Sequence, residues 1–132
     1  MCSDKSVDCP FCSLEEDRIL RSDDLTITLR DGFPVNPGHT LIVPRRHVAS
    51  FFQILPDEQL AMLNALSIAR ESLQEELSPD GFNVGINDGT AAGQTVMHLH
   101  IHLIPRFDGD MEDPRGGVRG VIPHKQKYIR KA

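Results

Sequence analysis

The sequence predicts an α+β fold: an antiparallel sheet in a meander, with one long helix packed on it. Three observations carry that prediction. In QTVMHLHIHLIPR, residues 94–106, His98, His100 and His102 alternate with Leu99, Ile101 and Leu103. Successive side chains on a strand point to opposite faces, so this stretch reads as a strand with an imidazole face and an aliphatic face. Leu25-Thr26-Ile27-Thr28-Leu29 alternates in the same way, as a half-buried strand does. Between the two, Leu60, Leu63, Leu66, Ala69, Leu73 and Leu77 recur at helical spacing, while Glu58, Arg70, Glu71, Glu75 and Glu76 lie mainly elsewhere. One helix inserted among strands argues for an α+β arrangement.

The elements follow in order. Residues 1–8 read as a mobile start. Cys9-Pro10-Phe11-Cys12 is a compact turn, and Ser13 is placed to cap a short helical turn through Glu15 and Glu16. After the strand at 25–29, Asp31-Gly32 and Asn36-Pro37-Gly38 supply turn chemistry. His39 to Val43 is a second strand, stopped by Pro44. The helix is expected from near Asp57 to about Leu77, where Ser78-Pro79-Asp80-Gly81 ends it. Phe82 to Ile86 is a third strand, Asn87-Asp88-Gly89 a turn, and residues 89–93 a small-residue loop. The fourth strand carries the histidines and is expected to end or fray at Pro105, which cannot donate to a ladder.

At 132 residues the chain is expected to form one domain, with a core over about 9–107 and an irregular basic tail over 108–132. Its 39% hydrophobic and 25% charged residues are ordinary for a soluble globular protein. A net charge of −5 argues against general nucleic-acid binding. The charge is uneven, because no acid follows Asp113 and six basic residues make the tail +6, leaving −11 for the remainder. No apolar run approaches the roughly 18 residues of a membrane span, and the first twenty residues are too charged for a signal peptide. Three cysteines, an odd number with two close together, fit a reducing cytosol, so a cytoplasmic location is expected.

A histidine on a strand can be a satisfied polar residue, a metal ligand or a catalytic group. Three on one face, preceded by a glycine-rich loop and Gln94-Thr95, favour chemistry. Cys9-x-x-Cys12 admits a metal or a redox reading; the redox reading wants a βαβ setting that this order of elements lacks. Zinc takes four N or S ligands in a tetrahedron, and His47 and His98 are the candidates to complete one.

The run His98-Leu99-His100-Ile101-His102-Leu103-Ile104 resembles the motif of the histidine triad (HIT) superfamily. Three further stretches match it in order: residues 36–44, NPGHTLIVP; residues 82–89, FNVGINDG; and residues 92–96, AGQTV. The likeness covers roughly residues 9–107 and is nearest to prokaryotic-type nucleotide hydrolases.

The resemblance implies a nucleotidyl hydrolase or transferase. His100 would attack the α-phosphorus and form a nucleotidyl-histidine, and His102 would face the leaving group. Gly93, Gln94, Thr95, Val96 and Asn87 would form the phosphate pocket. Asp31 would accept from the ribose hydroxyls, and Leu29 and Leu41 would lie near the base, a purine. Turn chemistry alone would also account for Asp31 and Asn87. One branch of the superfamily implies a structural zinc on Cys9, Cys12, His47 and His98. His39 is expected to support the triad from a neighbouring strand. A twofold homodimer joining two sheets is also implied, and diadenosine tetraphosphate is the leading substrate. Nucleoside phosphoramidates, a phosphorylase reaction, a catalytic zinc on the three triad histidines, and a nucleotide-binding or metal-sensing module without turnover stay open.

Overall fold

A computed structural model describes residues 9–130 of the chain. The expectations for residues 1–8, including a free thiol at Cys2, lie outside the described residues. Five antiparallel strands, β1 (Ile19–Ser22), β2 (Thr26–Arg30), β3 (Thr40–Pro44), β4 (Gly81–Gly85) and β5 (Ile101–Arg106), form one sheet in the order β1-β2-β3-β5-β4. The antiparallel sheet and the single long helix α1 (Pro56–Leu77) are as expected. The connectivity is not a simple meander, because β5 enters between β3 and β4. The connection from β3 through α1 to β4 skips one strand position, which β5 then fills, His102 pairing with Leu41 of β3 and Leu103 with Val84 of β4.

The sheet has two faces with separate cores. Ile42, Ile101 and Leu103 point to the helix face with Leu99, and pack on Met62, Ala65, Ala69 and Leu73 of α1. Ile27, Leu29, Leu41 and Val43 point to the other face and meet Cys9 and Phe11 of the N-terminal turn. The alternation of the histidine stretch therefore holds. Its ladder begins only at Ile101, although Leu99 N–H already donates to Val48 C=O at 2.7 Å.

The expected stripe holds over its later part, where Ala69 and Leu73 are buried and Leu66 and Leu77 pack on the core, but not at its start. Leu60 and Leu63 are 71% and 50% exposed, whereas Met62, Ala65, Ala69 and Leu73 are buried. Glu58, assigned to the outer face, is buried too. Its carboxylate accepts from Leu55 N–H at the helix start and from both Nε and Nη2 of Arg46, and that guanidinium holds the carboxyl below its usual range. Glu58 thereby ties α1 to the loop after β3.

Pro105 does not end its strand. Arg106 C=O accepts from Asp80 N–H on the β4 side, so residue 105 turns its own backbone polar groups the other way. There the β3 pairing has already stopped at Leu103, and Pro105 C=O accepts instead from Asn36 Nδ2 at 3.0 Å. No ladder bond is lost. Gly38, at φ +85°, sits where a Cβ would come within 2.8 Å of Leu73 and Leu77 on α1, so the 36–39 turn demands glycine. The short turn near Glu15 is a 3₁₀ turn over Glu16–Arg18, with Glu15 rather than Ser13 at its start. The tail also holds two 3₁₀ turns, Gly117–Val121 and Pro123–Lys125. No helix among the described residues is long and apolar enough to cross a membrane.

Candidate active site

The site lies on the sheet face opposite α1. Cross-strand pairing of Leu41 with His102 brings β3 and β5 side by side there. A cleft of about 370 Å³ opens over them, lined among others by Phe11, Asp31, Leu41, Thr95, His100 and His102. Asn87, Gly93 and Val96 line it as well, so eight of the ten residues expected to hold or transform the substrate meet in one cleft. Leu29 does not. It is fully buried in the core beneath the site, because its face of β2 is capped by the N-terminal turn.

Gln94 does not line the cleft either. Its Oε1 accepts from Gly89 N–H at 2.8 Å, and its Nε2 donates to the carbonyls of Ala49 and Val96 at 2.9 and 3.1 Å. A buried amide must be satisfied, and this one is consumed in bracing the loop. Gly93, at φ +92°, turns the chain back there. The N–H groups of Gly93 and Gln94 are also used internally, on Thr90 and Gly89 carbonyls. Among the described residues, no protein acceptor takes the Thr95 or Val96 N–H. The loop N–H groups left open beside the cleft are therefore those of Thr95 and Val96, while the Gln94 amide is used internally.

The hydrogen bonds fix the neutral tautomers of the three histidines His39, His100 and His102. His100 Nδ1 is 2.8 Å from His98 C=O, and a carbonyl can only accept. The proton is on Nδ1, and His100 Nε2 carries a lone pair. For His39, Val35 N–H donates to Nδ1 at 3.0 Å, so the neutral ring holds its proton on Nε2. That Nε2–H is 2.9 Å from His102 Nδ1 and 3.4 Å from Asp31 Oδ2. His102 accepts on Nδ1 and so carries its own proton on Nε2. Burial holds the pKa of His39 below the ordinary histidine value, and burial with the nearby His100 and His39 takes His102 down to about 4. With both rings neutral, the cleft thus pairs the Nε2 lone pair of His100 with the Nε2–H donor of His102.

Asp31, His39 and His102 bring three ligand atoms within 4.8 Å of one another, but they do not suit a cation. A metal on His39 Nε2 would need a proton on Nδ1, directly against the Val35 N–H. The group is a hydrogen-bond relay.

A second cluster suits a metal. The ligand atoms of Cys9, Cys12, His47 and His98 all lie within 4.8 Å of one another. His98 Nδ1 is 3.4 Å from Cys9 Sγ and 3.6 Å from Cys12 Sγ, and His47 Nδ1 is 3.2 Å from Cys12 Sγ. His98 Nε2–H donates to Pro44 C=O at 2.7 Å, which leaves its Nδ1 lone pair toward the sulfurs. Burial lowers the His98 pKa and so favours the neutral, ligating ring. Two sulfurs and two such nitrogens form a zinc donor set. Cys12 is disulfide-bonded in this structure, so it must be reduced to serve as a thiolate ligand. With His98 facing this cluster, the three triad histidines do not converge on one ion.

Sequence reasoning missed the apolar wall formed by Pro10, Phe11 and Leu14. Phe11 is buried, and its ring stands edge-on to His98 and His100 at centroid distances of 5.7 and 5.1 Å. The available signal was an aromatic between two candidate ligands.

The chain is similar to several known proteins. An uncharacterized HIT-like protein of Saccharolobus solfataricus is 32% identical over 134 residues, covering 94% of both chains. A Mycobacterium tuberculosis AP-4-A phosphorylase is 34% identical over 102 residues, covering 76% of this chain and 52% of that protein. A zinc-bound histidine triad family protein from Mycobacterium smegmatis superposes with a TM-score of 0.72 at 31% identity, covering 81% of each chain. The HIT domain model matches residues 14–109, a span that takes in all five strands, the helix and the whole histidine stretch. On that match, the chain belongs to the HIT domain family.

Proposed function

We propose that this protein is a nucleotidyl hydrolase acting at a nucleoside α-phosphate through a nucleotidyl intermediate on His100. The observation that carries the proposal is the His100 tautomer: Nδ1–H is held by His98 C=O, so Nε2 is available to attack. In the first step the His100 Nε2 lone pair forms a P–N bond as the bond from phosphorus to the leaving group breaks. His102 Nε2–H donates to the leaving atom, where charge develops. Water then attacks phosphorus, the P–N bond breaks, and the nucleoside monophosphate leaves. A phosphorylase would use phosphate in place of water at this second step. Thr95 and Val96 N–H groups would receive the phosphate oxygens, with Asn87 and Gly93 beside them, Asp31 the ribose, and Leu41 the base, a purine.

Dinucleoside polyphosphates, diadenosine tetraphosphate above all, are the leading substrates on the family reading. A second reading, nucleoside phosphoramidates, draws on the cavity beyond His102. Val84, Ile86, Ile104, Val118 and Val121 line it, and among the described residues no lysine or arginine does. A polyphosphate leaving group would meet no countercharge there from the described residues.

The reading includes a structural zinc on Cys9, Cys12, His47 and His98, which would tie the N-terminal turn to the sheet. It also includes a cytoplasmic setting, in which the thiols stay reduced, and a homodimer through the β4 edge, which is unpaired among the described residues.

The test is to incubate the protein with diadenosine tetraphosphate and an adenosine phosphoramidate in parallel, quenching early and mapping any adenylate by mass spectrometry. Adenylate on His100 with turnover of one substrate is expected. AMP binding without adduct or turnover from either would replace the enzyme with a nucleotide-binding module.

A further inference from the structure

We propose that metal occupancy at the Cys9, Cys12, His47 and His98 cluster controls nucleotide affinity, with Phe11 as the residue that transmits it. The inference rests on the nucleotide cleft and zinc site proposed above and adds a dependence of one on the other.

Chain geometry makes the link short. Pro10 and Phe11 are the only residues between the two cysteines, and both line the nucleotide cleft. The turn they form is closed by one backbone hydrogen bond, Cys12 N–H to Cys9 C=O at 3.2 Å. That bond closes the turn on itself, and its hold on the sheet comes from Cys9 and Phe11, which pack into the core of this face. Cross-linking both cysteines through one ion to His47, in the loop after β3, and His98, before β5, would add a bonded anchor to that packing.

Phe11 then has a fixed place. Its ring packs edge-on to His98, one of the proposed ligands, and to His100 on the other side. Leu14, Leu41 and Val96 complete the apolar wall beside it. An aromatic held rigidly against a cleft gives a base a stacking or edge contact at little entropic cost, whereas the same ring on a loose turn must be ordered when the nucleotide binds. The metal ion touches no substrate in this scheme. It acts by holding the wall in place before the substrate arrives.

The cluster and the cleft are therefore separable by mutation. Phe11→Ala removes the wall and leaves all four ligands in place. Cys9→Ser removes a ligand and leaves the ring.

The experiment uses the full chain under a phosphine reductant, with metal content measured on every sample and AMP affinity determined by calorimetry. Zinc-loaded protein is compared with chelated protein whose circular dichroism shows it still folded, and with zinc restored. Removal of zinc is expected to weaken AMP about tenfold, reversibly, and Cys9→Ser to do the same. Phe11→Ala should retain zinc, lose about the same factor, and become insensitive to chelation. Phe11→Tyr should recover most of the affinity and the zinc dependence.

If the chelated or Cys9→Ser protein unfolds, the zinc-loaded Phe11→Ala protein still decides, because unchanged AMP affinity in it would overturn the proposal. Equal AMP affinity with and without zinc in folded protein would overturn it directly. A failure of the reduced wild-type chain to bind zinc would remove the metal reading, and a failure of zinc-loaded wild type to bind AMP would remove the nucleotide reading. Either would take the coupling with it, and the two are told apart by the metal assay.

Discussion

The two faces of the sheet are covered by elements of very different size. On one, the 22 residues of α1 seal Ile42, Leu99, Ile101 and Leu103 to exposures of 2% or less. On the other, the turn that starts at Cys9 covers Ile27, Leu29, Leu41 and Val43 and then runs out, leaving His100 and His102 at a cleft. The same strand serves both, since Ile101 and Leu103 face the helix while His102 faces the cleft. Because strand period is two, a one-residue slip of β5 would bury imidazoles under the helix and expose leucines, so the packing of one face fixes the chemistry of the other. Stability is concentrated where the cover is large, and reactive groups stand where it is small.

That division can be broken from either side. The largest effect is expected from His100→Ala, which removes the proposed nucleophile from the open face. Turnover should fall by at least about 10³-fold, while urea denaturation shifts by no more than about 1 kcal/mol. Unfolding on that substitution would make His100 a structural residue and erase the contrast. Leu73→Ala attacks the closed face. Leu73 is fully buried in the helix-side core that also holds Ile42 and Leu103, and its truncation should cost about 2–5 kcal/mol in denaturation. The fraction that remains folded should keep its nucleotide affinity.

A smaller effect, and a pH-dependent one, is expected from the relay at the cleft. Folding lowers the pKa of His102 to about 4, by burial first and then by His100 and His39, with Asp31 acting in the opposite direction. The unfolded chain protonates this ring near pH 6.5. Between about pH 6.5 and 4 the unfolded state therefore binds a proton that the folded state refuses, so stability falls as pH falls through that window and levels off below it. His39 shifts in the same direction. The loss attributable to His102 is about 3 kcal/mol at most. His102→Gln should flatten the acid side of the profile in denaturation series at fixed ionic strength; an unchanged slope would place the titration elsewhere.

What the sequence disclosed and what it hid follow from the range of the interactions involved. The histidine strand was legible because its period is local. Strand β1 was not, because Ile19 to Ser22 is short, half-exposed and broken by a register shift between Ile19 and Arg21. The entry of β5 between β3 and β4 depends on pairing partners some 60 residues apart, which no local pattern encodes. Within the site, His100 and His102 are marked by spacing, and Asp31, Leu41 and Thr95 by their motifs. Gln94 was misplaced since an amide suits a phosphate as well as a backbone, and its partner Ala49 lies 45 residues away. Leu29 has the right face but the wrong depth.

The helix shows the same limit in its sharpest form, and supplies the smallest predicted effect. Leucines at 60 and 63 fit a helical repeat with Leu66, Ala69, Leu73 and Leu77 as well as the true inward row does. Two rows that share Ala69 and Leu73 are distinguishable at the start of the helix only by what the sheet offers, and there the sheet takes Met62 and Ala65 in place of Leu60 and Leu63. Leu60 thus projects from the covered face's outer side at 71% exposure. Leu60→Glu should change stability by less than about 0.5 kcal/mol, against several for a charge at a buried position of the same helix. Cost comparable to Leu73→Ala in dilute solution would mean that this side of α1 is covered, and a concentration-dependent cost would identify the cover as a second copy of the chain.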